Sequence, residues 1–178
     1  MDAWDAILAR RNVRDFSDRA IAREDLERIA EAGRRSPSSK NGQPWDLVIV
    51  TDRTQLVALS RVWRAAGPVA DAAAAIVIVA PVGDDPRGGT VLHFDLGQQA
   101  SSRTLAATSL GIGSGIVYVD DKALATEILG LPEDRFATLI MTLGYPVDRP
   151  LKPITRPDRR PFGDVVHWET WGSDETPT

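Results

Sequence analysis

Cysteine is absent from this 178-residue chain, and histidine occurs only twice, at His93 and His167. The lack of cysteine excludes disulfides, a thiol nucleophile, a dithiol redox pair and a cysteine-bound metal site. Two histidines are too few for a histidine-rich metal centre. We therefore predict that the protein holds no metal ion and that thiol chemistry does not carry its activity.

Long apolar runs are also missing from the sequence. The longest candidate, residues 72–80, falls well short of the roughly 20 residues that a membrane-spanning helix needs. Residues 1–5 lack the basic start and the apolar stretch of a secretory signal. Together these features predict a cytoplasmic protein that has no membrane partner.

Positive charge does not dominate the chain, whose formal net charge is −4. This balance argues against nucleic acid as a partner. Arginine is nevertheless concentrated in residues 10–35 and 156–160. A locally basic site in an acidic protein is typical of one that binds a small anionic ligand rather than a polyanion.

The length and the 43% hydrophobic content suit one globular domain, which we place at residues 1–171. Residues 144–171 contain five prolines, which prevent helix formation, so this segment is predicted to be an extended arm within that domain. The arm ends in an aromatic segment, and we expect it to lie across a partner subunit or back over its own body. Residues 172–178 are predicted to be a disordered tail.

Apolar periodicity divides the rest of the chain into helices and strands. Helices are predicted over residues 2–10, 23–34, 53–64, 91–110 and 121–129. Strands are predicted over residues 45–51, 75–80, 112–119 and 137–143. The second strand is almost wholly apolar and is therefore predicted to be buried on both faces.

Three arginines, Arg10, Arg11 and Arg14, occur within five residues. Arginine binds phosphate through paired, charge-assisted hydrogen bonds. Because residues 10 and 14 are four apart, we expect them on one side of a helix end. The alternative is a solvated face that pairs with Asp15 or Asp18, and the spacing alone leaves both interpretations open.

A polar loop over residues 36–44 offers several neutral hydrogen-bonding side chains. They belong to Ser38, Ser39, Asn41 and Gln43, and such groups suit the edge of a heteroaromatic ring that bears carbonyl and NH groups. An ordinary turn with serine and asparagine caps explains the same composition, so this alternative also stays open.

Residues 110–115 contain three glycines but do not form a dinucleotide-binding fingerprint. The third glycine of that fingerprint is missing, and a strand follows where a helix is required. We predict a helix C-cap and a tight turn at this position.

In this order, residues 10–16 (Arg-Arg-Asn-Val-Arg-Asp-Phe), 36–45 (Ser-Pro-Ser-Ser-Lys-Asn-Gly-Gln-Pro-Trp), 106–113 and 143–146 (Leu-Gly-Tyr-Pro) resemble the FMN-dependent nitroreductase family. The Arg-Arg-Pro and His-Trp-Glu segments of the tail extend the resemblance to about residues 4–171. It implies an α+β fold with a central, mostly antiparallel sheet flanked by helices and an extended C-terminal arm.

The resemblance also implies an activity. It points to a homodimer with FMN sites at the interface, in which NADH or NADPH donates electrons to a nitroaromatic, a quinone or a similar small acceptor by a ping-pong mechanism. Two alternatives remain open: other flavin chemistry on the same fold (dehalogenation, flavin destruction or ring dehydrogenation) and a non-catalytic flavin-binding protein.

Matching the family motifs position by position implies four groups of cofactor-binding residues. The opening motif, which holds the phosphate and the ring, comprises Arg10, Arg11, Asn12 and Arg14. The loop that reaches the cofactor from the neighbouring subunit comprises Pro37, Ser38, Ser39, Asn41 and Gln43. The strand along the ring comprises Ile116, Val117 and Tyr118. Either Arg159 or Arg160 closes on the phosphate.

Overall fold

The computed structural model describes residues 1–83 and 89–172, which form six α-helices and four β-strands. The helices are α1 (Ala3–Ala9), α2 (Arg23–Arg34), α3 (Arg53–Leu59), α4 (Pro68–Asp71), α5 (Thr90–Ser109) and α6 (Lys122–Leu129). The strands are β1 (Asp46–Val50), β2 (Ala74–Pro81), β3 (Gly113–Tyr118) and β4 (Arg135–Gly144). They form one sheet in the order β1-β2-β4-β3, with every neighbouring pair antiparallel. The predicted α+β fold is thus confirmed.

Strand β2 lies at the centre of the core, and seven of its eight residues are buried. Successive side chains of a strand point to opposite faces of the sheet. Ile76 accordingly packs in a cluster with Leu26 of α2 and Ala107 of α5. Val77 packs on the other face in a cluster with Leu59 of α3. The prediction that this strand is buried on both faces is confirmed.

The helix predicted over residues 53–64 ends at Leu59, so the prediction is wrong for its last five residues. The main-chain carbonyl of Val62 instead accepts hydrogen bonds from the N–H groups of Asp120 (3.2 Å) and Asp121 (2.9 Å). These contacts join the turn after α3 to the connection between β3 and α6. Beyond Leu59, the chain is therefore held by a long-range contact and not by a further turn of helix.

Two turns follow the glycine and proline signals of the sequence. Gly67 and Pro68 separate α3 from α4, and the proline occupies the first turn of α4, where its missing N–H costs nothing. Gly111 follows α5 with a φ of 74°, and β3 begins two residues later. The predicted C-cap and tight turn at residues 110–115 is therefore confirmed.

The first part of the arm lies back over its own chain. The N–H of Ser17 donates to the carbonyl of Tyr145 at 2.9 Å, and the N–H of Ile154 donates to the carbonyl of Leu8 at 3.0 Å. Further along, Trp171 is 92% exposed. The predicted disordered tail, residues 172–178, lies outside the described residues except for its first residue. The single-domain assignment stays a prediction.

A charged side chain lies in the core between α2 and α5. Arg103 is fully buried, and none of its three guanidinium nitrogens has a hydrogen-bond partner among the described residues. Burial lowers the pKa of Arg103 to about 10 because desolvation disfavours the charged form. The side chain fits because Gly33 has no side chain: a Cβ there would lie 2.7 Å from Cδ of Arg103.

None of the helices in the described part of the chain combines the length and the hydropathy that crossing a bilayer requires. Within residues 1–83 and 89–172, no three His, Cys, Asp or Glu side chains cluster as a metal ion would need.

Replacing Arg103 by methionine should raise the free energy of unfolding by about 1–4 kcal/mol, because an apolar chain of similar length replaces a buried, unpartnered charge. Urea denaturation measures the change. Arg28→Met, on the exposed side of α2, is the matched control and should stay within about 0.5 kcal/mol of the parent protein. A destabilised Arg103→Met variant would show that the guanidinium is paired in solution.

Candidate functional site

Residues 10–14, here called the opening segment, leave α1 and run beside β3. Helix α1 ends at Ala9, and Arg10 already has an extended backbone with φ −59° and ψ 140°. The N–H of Val13 donates to the carbonyl of Ser114 at 2.9 Å, and Asn12 pairs with Ser114 in parallel. The opening segment therefore adds a short extension to the free edge of the sheet.

Two glycines of β3 allow this close approach. A Cβ at Gly113 would lie 2.6 Å from Cγ2 of Val13, and a Cβ at Gly115 would lie 2.8 Å from the carbonyl oxygen of Val13. Side-chain carbons do not come that close to other atoms, so any larger residue would push the opening segment away from the sheet. Gly113 and Gly115, which the sequence marks as turn residues, therefore also set the distance between the opening segment and β3.

Burial alternates along the opening segment. Arg10, Asn12 and Arg14 are exposed, Arg11 is half-buried and Val13 is buried. The expectation that Arg10 and Arg14 share one side of a helix end is wrong, because the helix ends before them. They still share one face, since residues two and four apart in an extended chain point the same way.

Arg11 lies on the opposite face from the other two arginines. Its guanidinium donates to the carbonyl of Lys152 in the arm at 2.8 Å. Arg11 thus holds the arm against the opening segment. Whether it also contacts a ligand stays a prediction.

A cleft of about 450 Å³, here called the β3 cleft, opens beside the exposed face of the opening segment. Three parts of the chain meet in it: the opening segment, the turns between α3 and α4, and the sheet. Its lining residues are Asn12, Val13, Arg14, Trp63, Ala65, Pro68, Gly115, Ile116, Val117 and Thr142. Four predicted site residues, from positions about 100 residues apart, are therefore brought together.

The main chain of β3 presents hydrogen-bonding groups on its free edge. The main-chain carbonyl of Ser114 accepts from the opening segment and therefore points to the free edge of β3. Main-chain groups alternate along the regular β3–β4 register, so those of Ile116 and Tyr118 also point to the free edge and those of Val117 point toward β4. The ring of Tyr118 meets Trp63 edge-on, with centroids 6.2 Å apart. Of the predicted strand residues, Ile116 and Tyr118 thus have main-chain N–H groups available to a ligand.

The serine loop, residues 36–45, has a constrained backbone. Lys40, Asn41 and Gln43 have positive φ values of 53°, 54° and 48°. Such values are uncommon in residues other than glycine, although asparagine tolerates them better than most. Within the loop, the N–H of Gln43 donates to the hydroxyl oxygen of Ser38 at 2.9 Å.

The serine loop faces a different cleft, here called the α5 cleft, with a volume of about 550 Å³. Its lining residues are Pro37, Ser38, Ser39, Thr90, Val91, Phe94, Asp95 and Gln98. None of them lines the β3 cleft. Within one chain, the structure therefore does not bring the serine loop to the opening segment.

The two late arginines are engaged within the arm. The guanidinium of Arg159 donates to the carbonyl of Asp158, and that of Arg160 donates to the carbonyl of Asp164 at 2.6 Å. Among the described residues, neither is hydrogen-bonded to the opening segment. Both are exposed, and the choice between them for a phosphate contact stays open.

Sequence reasoning missed several polar and aromatic residues at these clefts. Trp63 lies beyond the end of α3, among residues 60–64, which were wrongly predicted as helix. Asp95 is 2% exposed and accepts a hydrogen bond from the N–H of Ser39 at 3.0 Å. An aspartate amid the small residues of α5 was the available signal, although its position within a helix gave no hint of a loop contact.

Comparison with known proteins gives consistent results. The sequence model described as the nitroreductase family matches residues 7–82. A protein of Archaeoglobus fulgidus, provisionally named an NADH dehydrogenase/NAD(P)H nitroreductase, is 36% identical over 173 residues, which cover 93% of this chain and 96% of that protein.

Solved structures agree with this similarity. An FMN-dependent nitroreductase from Clostridium difficile superposes with a TM-score of 0.79 at 26% identity, covering 93% of this chain and 99% of the other. An NADPH:FMN oxidoreductase from Vibrio harveyi, solved with NAD⁺, gives a TM-score of 0.78 at 29% identity, covering 95% and 77%.

Replacing Gly115 by alanine should lower the free energy of unfolding by about 1–3 kcal/mol, because the new methyl group would meet the carbonyl of Val13. Chemical denaturation measures the loss. Gly97→Ala is the matched control, since its Cβ would meet no atom within 4 Å; alanine there should be neutral or add up to about 1 kcal/mol. Equal stabilities of the two variants would contradict the close approach of the opening segment to β3.

Proposed function

The chain belongs to the nitroreductase family, and on that premise we propose that it passes electrons from NADH or NADPH, through bound FMN, to a nitroaromatic, a quinone or a similar small acceptor. An NAD(P)H-dependent flavin oxidoreductase is the level of function that the relative and the solved structures named above support. The acceptor class and a ping-pong order of binding are the further parts of the proposal.

The β3 cleft carries this proposal, and its residues fit FMN. Gly115 contributes no side chain to the lining, and the free edge of β3 offers main-chain N–H groups there. Asn12 and Arg14 line the cleft, and Arg10 lies on the same exposed face of the opening segment. An amide and a guanidinium group in the cleft, with a second guanidinium on the same face of the chain, suit a ligand that joins a phosphate to an aromatic ring.

FMN, when bound, supplies the redox chemistry by accepting a hydride from a reduced nicotinamide and delivering two electrons to the acceptor. The protein's own residues bind the cofactor and orient it. The main-chain N–H of Ile116 or Tyr118 would fix the ring edge, and the positive charge of Arg14 would favour negative charge at the ring. No protein nucleophile is needed, which agrees with the absence of cysteine.

The separation of the two clefts supports the homodimer that we propose. Pro37, Ser38 and Ser39 lie in the α5 cleft and do not line the β3 cleft of their own chain. If the serine loop contacts FMN, as the family motif implies, it reaches the β3 cleft of a second copy. We therefore place Pro37, Ser38, Ser39, Asn41 and Gln43 on the partner's side of each FMN site.

Replacing Arg10 and Arg14 together by alanine should weaken FMN binding by about 2–5 kcal/mol, because charge-assisted hydrogen bonds to a bound phosphate are lost. Quenching of FMN fluorescence on titration measures the affinity. Arg28→Ala, an exposed arginine of α2, is the control and should bind FMN as the parent protein does. An unchanged affinity in the double variant would remove the phosphate assignment.

Purified protein saturated with FMN should show the flavin absorbance, lose it on anaerobic addition of NADH or NADPH, and regain it when a quinone or a nitroaromatic compound is added. A ping-pong order predicts parallel double-reciprocal plots in steady-state assays. Failure to bleach with either nucleotide would contradict the reductase function and leave a flavin-binding protein without this activity. A monomer in sedimentation that retains stoichiometric FMN would contradict the shared site.

A further inference from the structure

We infer that Asp95 is a positioning residue: its buried carboxylate on α5 holds the serine loop in the conformation that presents Ser38 and Ser39. The effect on the ligand rests on the proposed function, in which this loop contacts FMN. The hold on the loop itself does not depend on any ligand.

The contact is a hydrogen bond between a rigid helix and the middle of a loop. Asp95 belongs to the 20-residue helix α5, and its Oδ2 lies 3.0 Å from the main-chain nitrogen of Ser39. The side chain is 2% exposed. Burying a carboxylate is unfavourable unless it is hydrogen-bonded. The N–H of Ser39 therefore offsets part of the desolvation cost of Asp95.

The loop needs such a hold because its backbone is strained. Three non-glycine residues with positive φ, Lys40, Asn41 and Gln43, follow the anchored residue within four positions. This left-handed conformation is disfavoured by the contact of Cβ with the backbone. Strain of this kind persists only where the surrounding structure imposes it, and it is concentrated at functional sites.

Two other side-chain hydrogen bonds of the loop do not substitute for the one to Asp95. The hydroxyl of Ser36 bonds with that of Ser102 at 2.9 Å, which fixes only the root of the loop where α2 ends. The bond from Gln43 to Ser38 lies within the loop and moves with it. Among the described residues, the hydrogen bond from the N–H of Ser39 to Asp95 is the one that joins the middle of the loop to a helix.

The anchor also sets where the loop lies in the α5 cleft. Asp95 lines this cleft together with Ser38 and Ser39, beside Phe94, which is 67% exposed. If the Ser39 N–H loses its acceptor, the strained residues are free to relax and both serines leave the cleft wall. FMN affinity then falls although Asp95 itself need not touch the cofactor.

The test compares two substitutions that differ in one property. Asp95→Asn keeps an oxygen acceptor at the same position, whereas Asp95→Ala removes it. Thr104→Ala is the matched control on α5, because the hydroxyl of Thr104 donates to the carbonyl of Ala100 in its own helix at 2.9 Å. The midpoint of thermal unfolding shows that each variant is folded, and Asp95→Leu replaces the alanine variant if that one does not fold.

The first readout uses protein freed of FMN. A lysine-specific protease cuts after Lys40, which is exposed at the top of the serine loop, and the cut after Lys122 in α6 is the internal reference. Cleavage after Lys40 should be about tenfold faster or more in Asp95→Ala, because a charge-assisted hydrogen bond is lost. Asp95→Asn and Thr104→Ala should be cut within about threefold of the parent rate.

The second readout is the affinity for FMN. It should fall about tenfold or more in Asp95→Ala and should stay within about threefold of the parent affinity in Asp95→Asn. Parent-like cleavage of Asp95→Ala, or equal effects of Asn and Ala, would overturn the anchor. Faster cleavage with unchanged FMN affinity would overturn the link to the site. Parent protein that binds no FMN, with the cleavage difference intact, would contradict the proposed function and leave the anchor standing.

Discussion

The approach of the opening segment to β3 is the contact on which the candidate site depends. One main-chain hydrogen bond, from Val13 to Ser114, holds the segment at the free edge of the sheet. Gly113 and Gly115 make that distance possible, since side chains there would collide with Val13. The bond fixes the segment in an extended form, and the extended form in turn decides which arginines face the cleft.

Helix α5 contributes to the candidate site by contacting the serine loop and lining the α5 cleft. It buries four polar side chains, Asp95, Gln99, Arg103 and Thr108. Asp95 meets the serine loop, while Gln99 and Arg103 lack partners among the described residues. A helix that carried only small apolar residues would pack more favourably, so these polar positions are where stability is given up. At Asp95, we link that cost to a loop that must hold an unfavourable backbone.

One chain contains the parts of the proposed FMN site but keeps them apart. The β3 cleft holds the opening segment, and the α5 cleft holds the serine loop. Arg11 and the arm connect the opening segment to the C-terminal part of the chain through the carbonyl of Lys152. We propose that a second copy completes each site by placing its serine loop against the β3 cleft.

The sequence by itself determined the four strands, the main helices and the family, because apolar periodicity and short motifs are local properties of the chain. It also placed Arg10 and Arg14 on one face, although for a reason that the structure corrects. Tertiary structure alone decided that Val62 meets Asp120 and Asp121 in the turn after α3, that Arg11 turns to the arm and that Asp95 holds Ser39. Each of these depends on a contact between residues far apart in the chain, and no local pattern encodes the partner of such a contact.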